Sequence, residues 1–67
     1  MDAPVAELPD PLLDAVERFL AASGLTPTAF GKASVNDPGF VFGLRAGREP
    51  RRETRRRVEA YMREAAA

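Results

Sequence analysis

The side chains in this sequence that most clearly invite a chemical role are its arginines. Seven of them fall between positions 45 and 57, with only two glutamates in the same stretch. A guanidinium stays charged throughout the physiological range and offers a rigid fork of N–H donors that matches phosphate oxygens. Arginine at this density points to a polyanionic partner. Other chemistry has little to work with. There is no cysteine and no histidine, which removes the thiolate nucleophile, the usual general base and the commonest metal ligands together. Ten carboxylates remain. A catalytic pair of them needs a concave pocket, and 67 residues can hardly pack a core and hollow out a cavity as well. The composition predicts no catalytic residue, no metal site, no cofactor and no small-molecule substrate. It describes a binding module, not an enzyme.

The formal net charge is zero, but its distribution matters more than its sum. Residues 1–34 carry five carboxylates against Arg18 and Lys32, whereas residues 35–67 carry eight arginines against five carboxylates. The positive field gathers on the second half, as an electrostatic footprint for nucleic acid would. No apolar run approaches the roughly 20 residues of a membrane span, and the amino end, Met1-Asp2-Ala3-Pro4, is acidic where a targeting segment would be basic. No membrane partner is expected, and with no cysteine a cytoplasmic setting is the default expectation.

The elements that must position the arginines are marked by capping signals. Residues 1–9 hold two prolines and no sustained period and read as a flexible N-terminal arm. Asp10-Pro11 pairs a side-chain acceptor with a proline at the first helical position, where a missing donor costs nothing. This predicts a helix over 11–22, with Leu12, Leu13, Val16, Phe19 and Leu20 on its buried face and Ser23-Gly24 at its end. Thr26-Pro27 repeats the device and opens a short helix over 27–33, with Ala29, Phe30 and Ala33 inward and Leu25 as a staple. Gly31 inside it costs up to about 1 kcal/mol relative to alanine. Close approach by a neighbouring helix is one reason for it, and simple tolerance is the other.

A third copy, Asn36-Asp37-Pro38, predicts a helix over 38–46 that stops at Gly47, with Val41 and Leu44 in the core. Gly47-Arg48-Glu49-Pro50 is a loop. The last helix, over 51–64, places Thr54, Val58, Tyr61, Met62 and Ala65 on one arc and Arg52, Arg56 and Arg63 roughly opposite. Four helices joined by short connections leave a compact all-α domain over 10–65, in which the two short middle helices are held by the first and last.

With Val41 and Leu44 turned inward, the outer side of 38–46 comprises Gly39, Phe40, Phe42 and Gly43, with Asn36 and Asp37 at its amino end. Two glycines are a poor choice for a short helix unless its backbone must come close to another body, and the DNA major groove is such a body. These six residues are the candidate base-facing set, with an exposed Phe42 able to meet a thymine methyl group. The competing reading buries Phe40 and Phe42 in the core. Arg45, Arg48, Arg51, Arg52, Arg55 and Arg56 surround the joint between the last two helices and form the candidate phosphate-facing set. Arg51 and Arg52 oppose the dipole of the helix they open, an objection that a bound phosphate removes. Arg57 and Arg63 have ready i,i+4 partners in Glu53 and Glu59 and are left out.

These residues also carry a resemblance. Gly24-Leu25-Thr26-Pro27-Thr28-Ala29-Phe30-Gly31-Lys32, then Val35, then Val41-Phe42-Gly43-Leu44-Arg45-Ala46-Gly47-Arg48-Glu49-Pro50 resembles the helix-turn-helix of phage repressor and Cro-like (lambda repressor-like) regulators. The likeness covers roughly residues 12–62. The family's small residue in the scaffold helix matches Gly31, its buried apolar pair in the recognition helix matches Val41 and Leu44, and its closing glycine, basic residue and proline match Gly47, Arg48 and Pro50. The resemblance implies sequence-specific binding to double-stranded DNA, transcriptional regulation, and a homodimer or a transcription partner protein. At base-reading positions where the family carries polar side chains, this sequence has Gly39, Phe40, Phe42 and Gly43, which leaves room for shape readout, methyl contacts, or action beside a DNA-bending or polymerase partner. The alternative function is a protein–protein interaction domain that docks through Phe40 and Phe42 and pairs its arginines with an acidic patch.

Overall fold

Capping chemistry sets the first two helices in the computed structural model, which describes residues 10–66; the arm expected over 1–9 lies outside the described residues. Helix α1 (Pro11–Ser23) begins where Asp10 Oδ1 accepts the Leu12 N–H at 2.9 Å. It ends at Gly24, whose left-handed backbone (φ 79°) lets its N–H return to the Leu20 carbonyl. Helix α2 (Pro27–Val35) begins where Thr26 Oγ1 accepts the Ala29 N–H at 3.1 Å. It runs two residues further than the spacing predicts and closes at Asn36, the one non-glycine residue with positive φ among those described.

The third start differs. Asp37 is not a helix cap, and Pro38 is not in a helix. The Phe40 N–H donates to the Asp37 carbonyl at 3.1 Å, and Gly39 sits at φ −93°, ψ 4°. This is a type I turn with proline at its second position. Asp37 Oδ1 accepts the Gly39 N–H at 3.0 Å and stiffens the same turn. Helix α3 is consequently only Phe40–Arg45, two residues later at its start than 38–46. It is finished by two bonds at once: Gly47 N–H to the Leu44 carbonyl (3.1 Å) and Arg48 N–H to the Gly43 carbonyl (2.9 Å). Gly47, at φ 99°, makes that Schellman closure possible. Helix α4 (Arg52–Ala66) follows the loop.

These four helices form a compact all-α domain. The core is Leu12, Val16 and Leu20 from α1, Phe30 from α2, Phe40, Val41 and Leu44 from α3, and Val58 from α4. Phe19, Phe30 and Tyr61 meet in a three-ring cluster with centroids 5.5–6.1 Å apart, in the tilted and edge-on arrangements that aromatic quadrupoles favour. Ala29 and Ala33 were expected inward and are exposed. The reason is Gly31. A methyl group there would fall inside contact distance of the Asp37 carbonyl oxygen, whose N–H in turn donates to the Gly31 carbonyl at 3.0 Å. The returning turn, together with Phe40 at the start of α3, lies against α2 at Gly31, with Phe30 and Gly31 on the buried side.

Candidate nucleic-acid interface

The type I turn decides which side of α3 faces out. Because the helix starts at Phe40, its inward positions are 40, 41 and 44, and Phe40 is a core residue, only 8% exposed. Its expected base-facing role is therefore corrected: the ring is packed against the interior and presents nothing to a groove. Phe42 has the opposite fate. It is 51% exposed, the large hydrophobic residue left in solvent among those described. Gly39 lies one turn before it at the exposed turn and Gly43 directly after it, so these three share the outer side of α3. Asn36 and Asp37 are exposed at the amino end. Asn36 serves the left-handed closure of α2, and one carboxylate oxygen of Asp37 is occupied by the turn.

The glycines divide by cause. Gly24 and Gly47 adopt positive φ, and Gly31 is demanded by the Asp37 carbonyl. Gly43 has no such requirement. A methyl group there would meet the Arg48 Cδ at 3.5 Å, an ordinary van der Waals contact. Glycine at a helix-interior position costs about 1 kcal/mol relative to alanine, and what the molecule itself lays against this half-buried position is the Arg48 side chain.

The six candidate arginines separate into two groups. Arg45 is held by Glu17 through two parallel bonds, Nε to Oε2 at 2.7 Å and an NH2 bond to Oε1 at 2.9 Å. The guanidinium also stands 5.8 Å from the Phe42 ring centre, within the range of a cation–π contact. Arg55 is held by Asp10 in the same bidentate way, at 3.0 and 2.9 Å. The bond from Arg55, helped by the Leu12 N–H, brings the Asp10 carboxyl down from 3.8 to about 2. The bond from Arg45 likewise holds the Glu17 carboxyl below its ordinary value. Both guanidinium groups are thus paired with carboxylates of the first helix and its cap. Neither carboxylate partner was legible in advance, since the pairs span 28 and 45 residues.

Arg48, Arg51, Arg52 and Arg56 are exposed, and no carboxylate of the described residues lies within ion-pair distance of them. The Schellman closure turns Arg48 back so that its aliphatic stem covers Gly43 and its guanidinium borders the outer side of α3. Arg48 and Arg51 face the same open cleft, which Asp37, Phe40, Leu44, Glu49, Pro50 and Thr54 also line, so two carboxylates share it with the two guanidinium groups. Arg52 and Arg56 stand one turn apart along α4. Arg51 contributes the carbonyl that accepts the first α4 bond, from the Arg55 N–H at 2.9 Å; its own side chain has no oxygen to cap the first amides of that helix, so the end presents positive side chains and a positive dipole together.

No family model, curated protein or solved structure matches the chain. Its functional reading therefore rests on its own geometry. No helix of the described residues is long and apolar enough to cross a membrane.

Proposed function

We propose that this domain binds duplex DNA sequence-specifically as a lambda repressor-like helix-turn-helix regulator, with α2 as scaffold and α3 in the major groove. The observation that carries the reading is Gly43, a helix-interior glycine on the outer side of α3 that the protein's own fold does not require. A glycine that costs helix propensity and is covered by one long, flexible side chain leaves the backbone accessible to an outside body once the Arg48 side chain swings towards that body. Its neighbours say what kind of thing. Phe42 offers apolar contact and Arg48 lies against the position, while Arg51, Arg52 and Arg56 follow at the start of α4, all four unpaired with the described carboxylates. In this reading those four arginines hold phosphates on either side of the groove, and Gly39, Phe42 and Gly43 meet the base edges, with Asn36 and Asp37 at the rim. A protein-docking surface is less well supported, because Phe40, half of its expected apolar anchor, is buried.

The test is a titration of labelled duplex DNA at several salt concentrations. Binding should weaken steeply, with log K falling by about 0.9 per log unit of salt for each phosphate contacted. Replacing Arg48 and Arg51 together by alanine should lower that slope by about two and weaken specific and random duplexes alike. A folded double variant with unchanged affinity and slope would overturn the assignment of the arginines.

A further inference from the structure

The exposed side of α3 offers no side-chain hydrogen-bonding group between Gly39 and Gly43. Phe40 and Val41 are turned inward, and Phe42 is the one side chain that protrudes. A major-groove reader built this way, with Arg45 engaged by Glu17 through two bonds, does not address purine N7 or the exocyclic amines from positions 39–43. It can address the one apolar feature that the groove displays, the 5-methyl group of thymine. We infer that Phe42 is the specificity-determining residue of this domain and that it selects a 5-methylpyrimidine in duplex DNA. The inference rests on the DNA-binding reading above and names the chemistry that reading leaves open.

Two observations favour this occupant over another protein's apolar surface. The first is charge. Arg48 borders the same side of α3 and is paired with no described carboxylate; although Asp37 and Glu49 share the cleft that Arg48 and Arg51 line, a guanidinium set against Gly43 is complemented by a phosphate and not by an apolar protein patch. The second is that the Phe42 ring is braced. Glu17 fixes Arg45 by two bonds, and Arg45 stands over the ring at 5.8 Å. An aromatic side chain held in place before binding loses little conformational freedom on contact, which suits a reader that must register a single methyl group. Glu17 and Arg45 act here as positioning residues.

The experiment begins with duplexes selected by the protein from a random pool. Each thymine in a selected site is then replaced in turn by deoxyuridine, which removes the methyl group and keeps every hydrogen-bonding atom. At one or two positions this should weaken binding about fourfold, the loss expected for one buried methyl group. At such a position a C·G pair should bind poorly and a 5-methylcytosine·G pair should recover affinity. In Phe42→Ala the deoxyuridine penalty should vanish, while in Phe42→Leu it should persist in reduced form. Salt-dependent duplex binding with no deoxyuridine effect anywhere, or with the same effect in Phe42→Ala, overturns the inference and leaves the DNA-binding reading intact. Failure to bind any duplex overturns both. Phe42 is half in solvent, so its replacement is not expected to unfold the protein, and circular dichroism of each variant checks this.

Discussion

Asp10 and Glu17 are the two residues whose roles are most sharply defined by distance. Asp10 does two jobs with one carboxylate, accepting the Leu12 N–H and gripping Arg55. Replacing it by alanine removes a helix cap, worth about 1 kcal/mol, and a partly screened ion pair, worth up to about 1 kcal/mol more. Urea denaturation should show a loss of about 1–2 kcal/mol. The pH dependence has a definite sign. The Asp10 carboxyl sits at about 2 when folded against 3.8 ordinarily, so its contribution is fully present above the unfolded value and is lost as pH falls from there through 2. The native protein should therefore lose more stability between pH 5 and pH 2 than Asp10→Asn does, and equal losses would contradict the pairing. Glu17 bears on function instead. Glu17→Gln frees Arg45 from its neutralising partner, and the extra positive charge should tighten binding to random duplexes about two- to fivefold at low salt. The same change loosens the brace on Phe42, so discrimination between thymine and deoxyuridine should fall while affinity rises. Affinity and selectivity moving together would argue against the Glu17–Arg45–Phe42 arrangement.

A helix of six residues cannot stand by itself, and α3 depends on what bounds it. The type I turn sets its rotation and the Schellman closure sets its end, with Gly31 making room for the turn. Two glycine substitutions separate architecture from function. Gly31→Ala pushes a methyl group into the Asp37 carbonyl and should cost about 1–3 kcal/mol, as overpacking does. Gly43→Ala meets only the flexible stem of Arg48. It should leave thermal stability unchanged or raise it by about 0.5–1 kcal/mol through helix propensity, yet weaken DNA binding at least about tenfold by holding the α3 backbone away from the base edges. A Gly43→Ala variant that is both stable and fully competent for DNA would show that the glycine is merely tolerated.

The whole molecule is small enough that its core admits little loss. Eight side chains of the described residues are buried, Phe30, Val16, Val41 and Val58 almost completely, and a core of this size supports roughly 3–5 kcal/mol of net stability. Phe30 touches both Phe19 and Tyr61, and removing a buried phenylalanine costs about 3–5 kcal/mol. Phe30→Ala should therefore be largely unfolded at 25 °C by far-ultraviolet circular dichroism. Phe42→Ala, on the other side of the same molecule, should not. At this scale Glu17 of α1 and its cap Asp10 pair with Arg45 and Arg55, while Arg48, Arg51, Arg52 and Arg56 around the joint between α3 and α4, and also Arg57 and Arg63 further along α4, whose expected partners Glu53 and Glu59 do not reach them, remain unpaired with the described carboxylates.

Much of this arrangement was present in the amino-acid order alone. The starts of α1 and α2, the buried stripe Leu12–Val16–Leu20, the inward Val41, Leu44 and Val58, and the gathering of arginines after position 44 all follow from interactions within a few residues, where capping and periodicity operate. Other features needed the folded chain. Whether Asp37 caps a helix or makes a turn depends on the carbonyl that docks against Gly31, and that docking rotates α3 so that Phe40 is buried and Phe42 exposed. Which arginines stay available depends on Asp10 and Glu17, distant in the chain and brought near only by packing. Local hydrogen bonding chooses the helices; long-range contact chooses the face they show.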